Sequence, residues 1–177
     1  MRAAFHLAMR VALVCVAYYA GAIFGITFKL PRGGIGGIAS IWMPNAIVLA
    51  ALLLAPPRVW WVYLLALLPT HLHVVATFQG AVPLAVMFSQ FSGNMIQAVL
   101  GAAAVRAVVG APPRLDSLRG MASFVLLAAV LVPALASVVA ITLFLLTGWA
   151  TDFWLSWRQR FFANTQARPR DQCRCGE

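Results

Sequence analysis

Apolar residues fill five long runs of the chain, approximately Val11 to Phe28, Ile35 to Ala55, Val59 to Thr77, Ala81 to Val105 and Met121 to Gly148, and polar or turn-forming residues collect in the gaps. Hydrocarbon about 30 Å thick is crossed by roughly 20 mostly apolar residues in a helix, so each run predicts a transmembrane helix. The gaps "KLPRGG", "PPR", "FQG" and "GAPPRLDSLRG" are short, which predicts antiparallel neighbours. Beyond the fifth run, Asp152 to Thr165 ("DFWLSWRQRFFANT") has the Trp, Phe and Arg mixture of an interfacial helix or of a partial sixth span. The pattern predicts an all-α integral membrane protein, a polytopic bundle of five transmembrane helices plus that C-terminal helix. Residues 1–165 form one membrane unit and residues 166–177 ("QARPRDQCRCGE") a disordered tail of different character.

Composition strengthens this reading. Of 177 residues, 63% are hydrophobic and 10% charged, with mean hydropathy +0.90; a soluble domain is nearer one half apolar and a quarter charged. The net charge of +9 and the pI of 11.1 do not indicate nucleic acid, because the arginines stand singly or in pairs between spans. They act as topology signals. With the N-terminus cytoplasmic, inner segments hold Arg2, Arg10, Arg58, Arg106, Arg114 and Arg119, against Lys29 and Arg32 outside. The basic start and "AGA" at Ala20 to Ala22 imitate a signal peptide, but apolar sequence continues to Phe28, which argues against cleavage.

Polar residues inside spans are the candidate site. In the second run Trp42, Pro44 and Asn45 fall together; a proline inside a helix cannot donate to the carbonyl four residues back, here that of Ser40, and predicts a kink with Trp42 as boundary anchor. In the fourth, Gln90, Asn94 and Gln97 fall within about 60° of one another on a helix, with Gly101 extending the stripe. Carboxamides avoid lipid, so they point inward, as interhelical hydrogen bonds or toward a ligand. His71 and His73, near the end of the third run, are separated by about 200° on a helix and cannot chelate one metal together. They predict one buried polar contact and one interfacial histidine, with a haem or metal site requiring partners elsewhere. The small residues Ala17, Gly21 and Gly25, and Ala129, Pro133, Ala136 and Ala140, suit close helix packing or a homodimer. "RGGIGG" (Arg32 to Gly37) lacks the Lys and Ser/Thr of a phosphate loop and is a flexible outer loop. Cys173 and Cys175 lack the further ligands of a closed zinc site. No cofactor is implied, and no nucleophile elbow, paired carboxylates or metal-binding helix motif is present, so no enzyme is expected.

Three segments, "IWMPNAIVLAALLLAPPRVWWVYLLALL" (Ile41 to Leu68), "SGNMIQAVLGAAAVR" (Ser92 to Arg106) and "FWLSWRQRFFANT" (Phe153 to Thr165), together resemble the membrane-associated sensor domain of the first type, the integral membrane input module of bacterial histidine kinases and diguanylate cyclases. The most specific pieces are Trp42-x-Pro44 and Gly93-Asn94-x-x-x-Ala98. Asn45 and Ala46 stand where that family often has Ala-Gly, and Gln97 where it often has an acidic residue. The resemblance implies more spans than are found here and a cytoplasmic output, so the chain is expected to be a truncated or frame-shifted copy. The function implied is a sensory input domain in the bacterial inner membrane whose partners are the bilayer and a small-molecule or membrane signal. The alternative is a small-solute carrier component, since carriers also use broken helices lined by polar groups.

Overall fold

In the computed structural model, residues 2–27, 29–30, 38–39, 42–110, 112–113 and 116–165 are described. Seven α-helices follow one another: α1 (Arg2–Thr27), α2 (Pro44–Leu54), α3 (Trp60–Phe78), α4 (Leu84–Val108), α5 (Leu118–Val125), α6 (Val132–Leu146) and α7 (Phe153–Thr165). Between α1 and α2 two residues from each side, β1 (Lys29–Leu30) and β2 (Ile38–Ala39), pair antiparallel. A π-helical turn, Leu126–Leu131, joins α5 to α6 into one continuous rod.

Three helical stretches are long and apolar enough to cross a membrane: Ala4–Thr27, Pro57–Phe78 and Leu118–Leu146. They correspond to the first, third and fifth apolar runs. α4 has the length, with 25 residues, but Ser89, Gln90, Ser92, Asn94 and Gln97 make it less apolar than those three.

The second run departs most from expectation. Its helix begins only at Pro44 and has 11 residues, a rise of about 16 Å at 1.5 Å per residue. The predicted kink at Pro44 is therefore absent: proline occupies the first turn, where its missing N–H needs no partner and its fixed φ suits helix initiation. Upstream, Ile38–Ala39 is extended instead of helical. Ser40, the RGGIGG loop and residues 166–177 lie outside the described residues.

The proline that does disturb a helix is Pro133. It lacks the N–H for the bond to Ala129, and its ring crowds that carbonyl. The turn just before it is widened to the π form, with the Val132 N–H donating to the Leu127 carbonyl five residues back. Such single π turns inside α-helices recur at functional sites.

Two hydrophobic clusters hold the bundle. The larger joins α1, α2, α3 and α4 through Tyr18, Val48, Leu52, Leu67, Val74 and Ala102. The smaller, Ile141, Phe144 and Ala150 with Trp149, Phe153 and Trp157, seats α7 on the end of α6. Outside them, exposed leucines such as Leu13, Leu54, Leu65, Leu135 and Leu146 cover the surface, as a lipid-facing exterior requires.

Small residues set the closest approaches. A Cβ on Gly21 would lie 3.0 Å from Ile47 Cδ1 and 3.5 Å from Met43 Cβ, so α1 meets the start of α2 there. A Cβ on Gly93 would lie 2.8 Å from Ala140 Cβ, so α4 and α6 touch there almost backbone to backbone. Both ladders are thus engaged in packing within the chain.

Candidate functional site

The register of the bundle brings the polar positions into two levels. Leu49 of α2 and Val132, at the start of α6, both contact Gly101 of α4, while Ala140 contacts Gly93. α4 and α6 therefore run antiparallel, with Ser137 level with Gln97. The Arg106 guanidinium reaches the Leu52, Leu53 and Ala55 carbonyls. Hence α2 runs parallel to α4, and Asn45, four residues before Leu49, is level with Gln97 to within a turn.

This inner level is polar and buried. Asn45, Gln97 and Ser137 are buried, Gln97 being 6% exposed and Ser137 0%. Gln97 Oε1 and Ser137 Oγ have no hydrogen-bond partner among the described residues. A buried polar atom left unpaired costs about 1–3 kcal/mol, so Gln97 Oε1 is poised to accept, and Ser137 Oγ to accept or donate, a further hydrogen bond. Pro44 is buried beside Asn45, and Trp42, half-buried, has an unpartnered indole Nε1 among the described residues.

The second level is a polar cluster drawn from four helices, with two buried hydrogen-bonded pairs. Arg160 of α7 donates from Nη2 to Asn94 Oδ1 at 2.8 Å. The Asn94 side chain is 3% exposed and lies near the Tyr18 hydroxyl of α1. The Tyr18 hydroxyl and His71 Nδ1 of α3 lie 2.9 Å apart, with roles fixed by the histidine tautomer. The imidazole packs against Phe91 at a ring-centroid distance of 5.5 Å, and its Nε2 has no partner among the described residues. Arg160 lies over the Phe144 ring, 5.8 Å from its centroid, a cation–π placement.

Other expected positions lie apart. Gln90 is half-buried and donates to Gln79 Oε1 at 3.3 Å, at the α3–α4 connection. His73 is exposed and stacks on Tyr19 at 5.9 Å. Among the described residues no set of three His, Cys, Asp or Glu is placed to hold a metal.

Three participants escape a reading of the sequence. Tyr18 looks like an aromatic of the first span, and Arg106 and Arg160 look like topology charges. A signal for Arg160 did exist: Phe153, Ser156, Trp157 and Arg160 fall at helical spacing on one side of α7, and Ser156 is buried.

The family model of MASE1, the membrane-associated sensor domain family, matches residues 10–160. The chain belongs to this family. MASE1 is a membrane sensory input domain and not a catalytic one, and the matched region takes in both polar levels and Arg160. Comparison with curated proteins and with solved structures gave no match.

Proposed function

We propose that this MASE1 chain is the input module of a bacterial inner-membrane signalling protein, binding a small molecule at the level of Asn45, Gln97 and Ser137 and passing the event to a histidine kinase or diguanylate cyclase output. The observation that carries the site is the pair Gln97 Oε1 and Ser137 Oγ, buried on facing helices with no partner among the described residues. A ligand offering a hydroxyl or amine satisfies both atoms, and native proteins rarely leave such groups unpaired. Trp42, Pro44 and Asn45 form the wall contributed by α2, and Asn94 adjoins the site one turn away. Gln90, His71 and His73 support the surrounding packing.

The topology proposed has the N-terminus cytoplasmic and five membrane passes, with α2 and α4 completing the three apolar stretches. α2 is too short to cross alone. The extended pair β1–β2 adds to its path, an arrangement tolerated in a bilayer where backbone is enclosed by protein. Because the small-residue ladders at Gly21 and Ala140 are engaged within the chain, pairing of two copies in this reading runs through other faces.

The test is a fusion of a diguanylate cyclase to the cytoplasmic N-terminus of the whole chain. Gln97→Leu and Ser137→Ala remove the unpaired atoms while keeping the fold, so cyclic di-GMP output should cease to respond to the growth media that modulate the parent fusion, at unchanged abundance. A normal response from both variants would remove this level as the site.

A further inference from the structure

α7 packs along α6 and also touches β2 and the π turn, while its link to α4 is of a different physical kind. Its aromatic side packs with the end of α6 in a cluster separate from the main core, and Trp157 Nε1 donates to the Ala134 carbonyl at 3.1 Å. Those contacts fix α7 to α6. The contact with α4 is polar and reaches across 66 residues of sequence: Arg160 Nη2 to Asn94 Oδ1.

The surroundings of that bond are shaped for it. Gly93 leaves the space through which the guanidinium passes, since a Cβ there would lie 3.1 Å from Arg160 Nη2 as well as 2.8 Å from Ala140 Cβ. Arg160 Nε is fully buried, so the cation enters the protein instead of turning back to the surface. Near Asn94, the Tyr18 hydroxyl lies 2.9 Å from His71 Nδ1. The guanidinium thus bears on α4 through Asn94 and on α6 through the Phe144 ring.

We infer that the Arg160–Asn94 hydrogen bond is a latch that holds α7 against α4, and that its opening lets α7 move with the end of α6 while the α1–α4 core stays intact. The acceptor is a neutral amide, so the bond is weaker than the same guanidinium paired with a carboxylate. An intermediate strength suits a contact that opens and closes. The inference rests on the proposed sensor reading only for its use: Asn94 adjoins the ligand level, so a ligand engaging the carboxamide would compete with Arg160. The π turn Leu126–Leu131 contacts both α4 and α7, which places a deformable segment of the long rod beside the latch.

The test needs no stimulus, so its failure is separate from failure of the sensor reading. In the full chain reconstituted in lipid nanodiscs, with native cysteines replaced by serine, spin labels go on the exposed positions Phe88 of α4 and Trp154 of α7. A control pair occupies the exposed positions Leu13 of α1 and Leu65 of α3. Arg160→Met and Asn94→Leu should each shift the Phe88–Trp154 distance distribution to longer, broader values, and the double variant should add nothing further. Asn94→Asp should narrow it below the parent, because a carboxylate strengthens the bond. The control pair should stay fixed. An unchanged distribution in Arg160→Met, or Asn94→Asp behaving like Asn94→Leu, would overturn the latch. Should Arg160→Met disturb the control pair by misfolding, Asn94→Asp decides alone, narrowing for the latch and parent-like or broader against it.

Discussion

Arg106 and Arg160 are two arginines that enter the same bundle and do different work. Arg106, in the last turn of α4, points its Nη1 at the Leu53 and Ala55 carbonyls at 3.0 and 3.2 Å, with Leu52 at 3.5 Å. Trp60, 5.8 Å beneath the guanidinium, donates to two of the same carbonyls. These are the orphan acceptors at the C-terminus of α2, which a cation and the helix dipole stabilise together. Arg160 instead meets a side chain, Asn94, in the interior. Main-chain carbonyls at a helix end have nowhere to go without losing the helix, whereas a carboxamide can rotate and take another partner. The first contact is therefore structural, and the second can be switched.

The largest expected effect breaks the structural side of this comparison. Arg106→Met leaves the Leu53 carbonyl without its donor and the Leu52 and Ala55 carbonyls with Trp60 alone, and hydrogen bonds to a charged group are worth about 1.5–3 kcal/mol each. Stability of the nanodisc-embedded chain should fall by roughly 3 kcal/mol, read by reversible detergent unfolding. Arg106→Lys should recover part of this, since an ammonium supplies donors without the planar fork that spans several carbonyls and stacks on Trp60.

Gly93→Ala tests the passage used by Arg160. The added methyl must push on Ala140 and on the guanidinium together, and overpacking of this kind costs about 1–3 kcal/mol. The same unfolding assay should show that loss, and labels on Phe88 and Trp154 should separate as they do in Arg160→Met. Loss of stability with no separation would detach Gly93 from the Arg160 contact.

The smallest effect is expected at Pro44. At the first turn of α2 it blocks no helical hydrogen bond, so Pro44→Ala should change stability by less than about 1 kcal/mol and affect output only through its place in the wall of the ligand level. Pro133→Ala should differ: with an N–H restored, the π turn can relax to α, rotating the two halves of the rod relative to each other. Altered output with Pro133→Ala and none with Pro44→Ala would place the deformable joint in the α5–α6 rod instead of at α2.

The two prolines also show what the sequence could and could not reveal. Apolar runs and their breaks located α3, α4 and the long α5–α6 rod within a few residues, because burial in lipid imposes one rule on every residue of a span. The same rule misled at Ile35 to Ala55, where apolar composition continues through a segment that is extended at Ile38–Ala39 and helical only from Pro44; hydrophobicity alone does not distinguish a span from a half-span. The carboxamide stripe was legible from helical geometry, and Asn94 and Gln97 are buried. Its partners were not. Tyr18 meets His71 across 53 residues and Arg160 meets Asn94 across 66, and local pattern carries no information about such pairings. Arginine has one appearance in a membrane sequence whether it anchors a loop, caps a helix or enters the core.

The most direct test of the contrast sets both arginines side by side in the whole chain carrying a diguanylate cyclase at its cytoplasmic N-terminus. Cyclic di-GMP is measured per molecule of fusion protein for Arg106→Met and Arg160→Met. Arg106→Met should lower abundance while output per molecule stays at the parent value, and Arg160→Met should keep abundance while output per molecule changes and no longer responds to conditions that modulate the parent. If output per molecule is unchanged in Arg160→Met, or if both variants simply track their abundance, Arg160 is a second structural contact and the distinction between the two ends of the bundle is wrong.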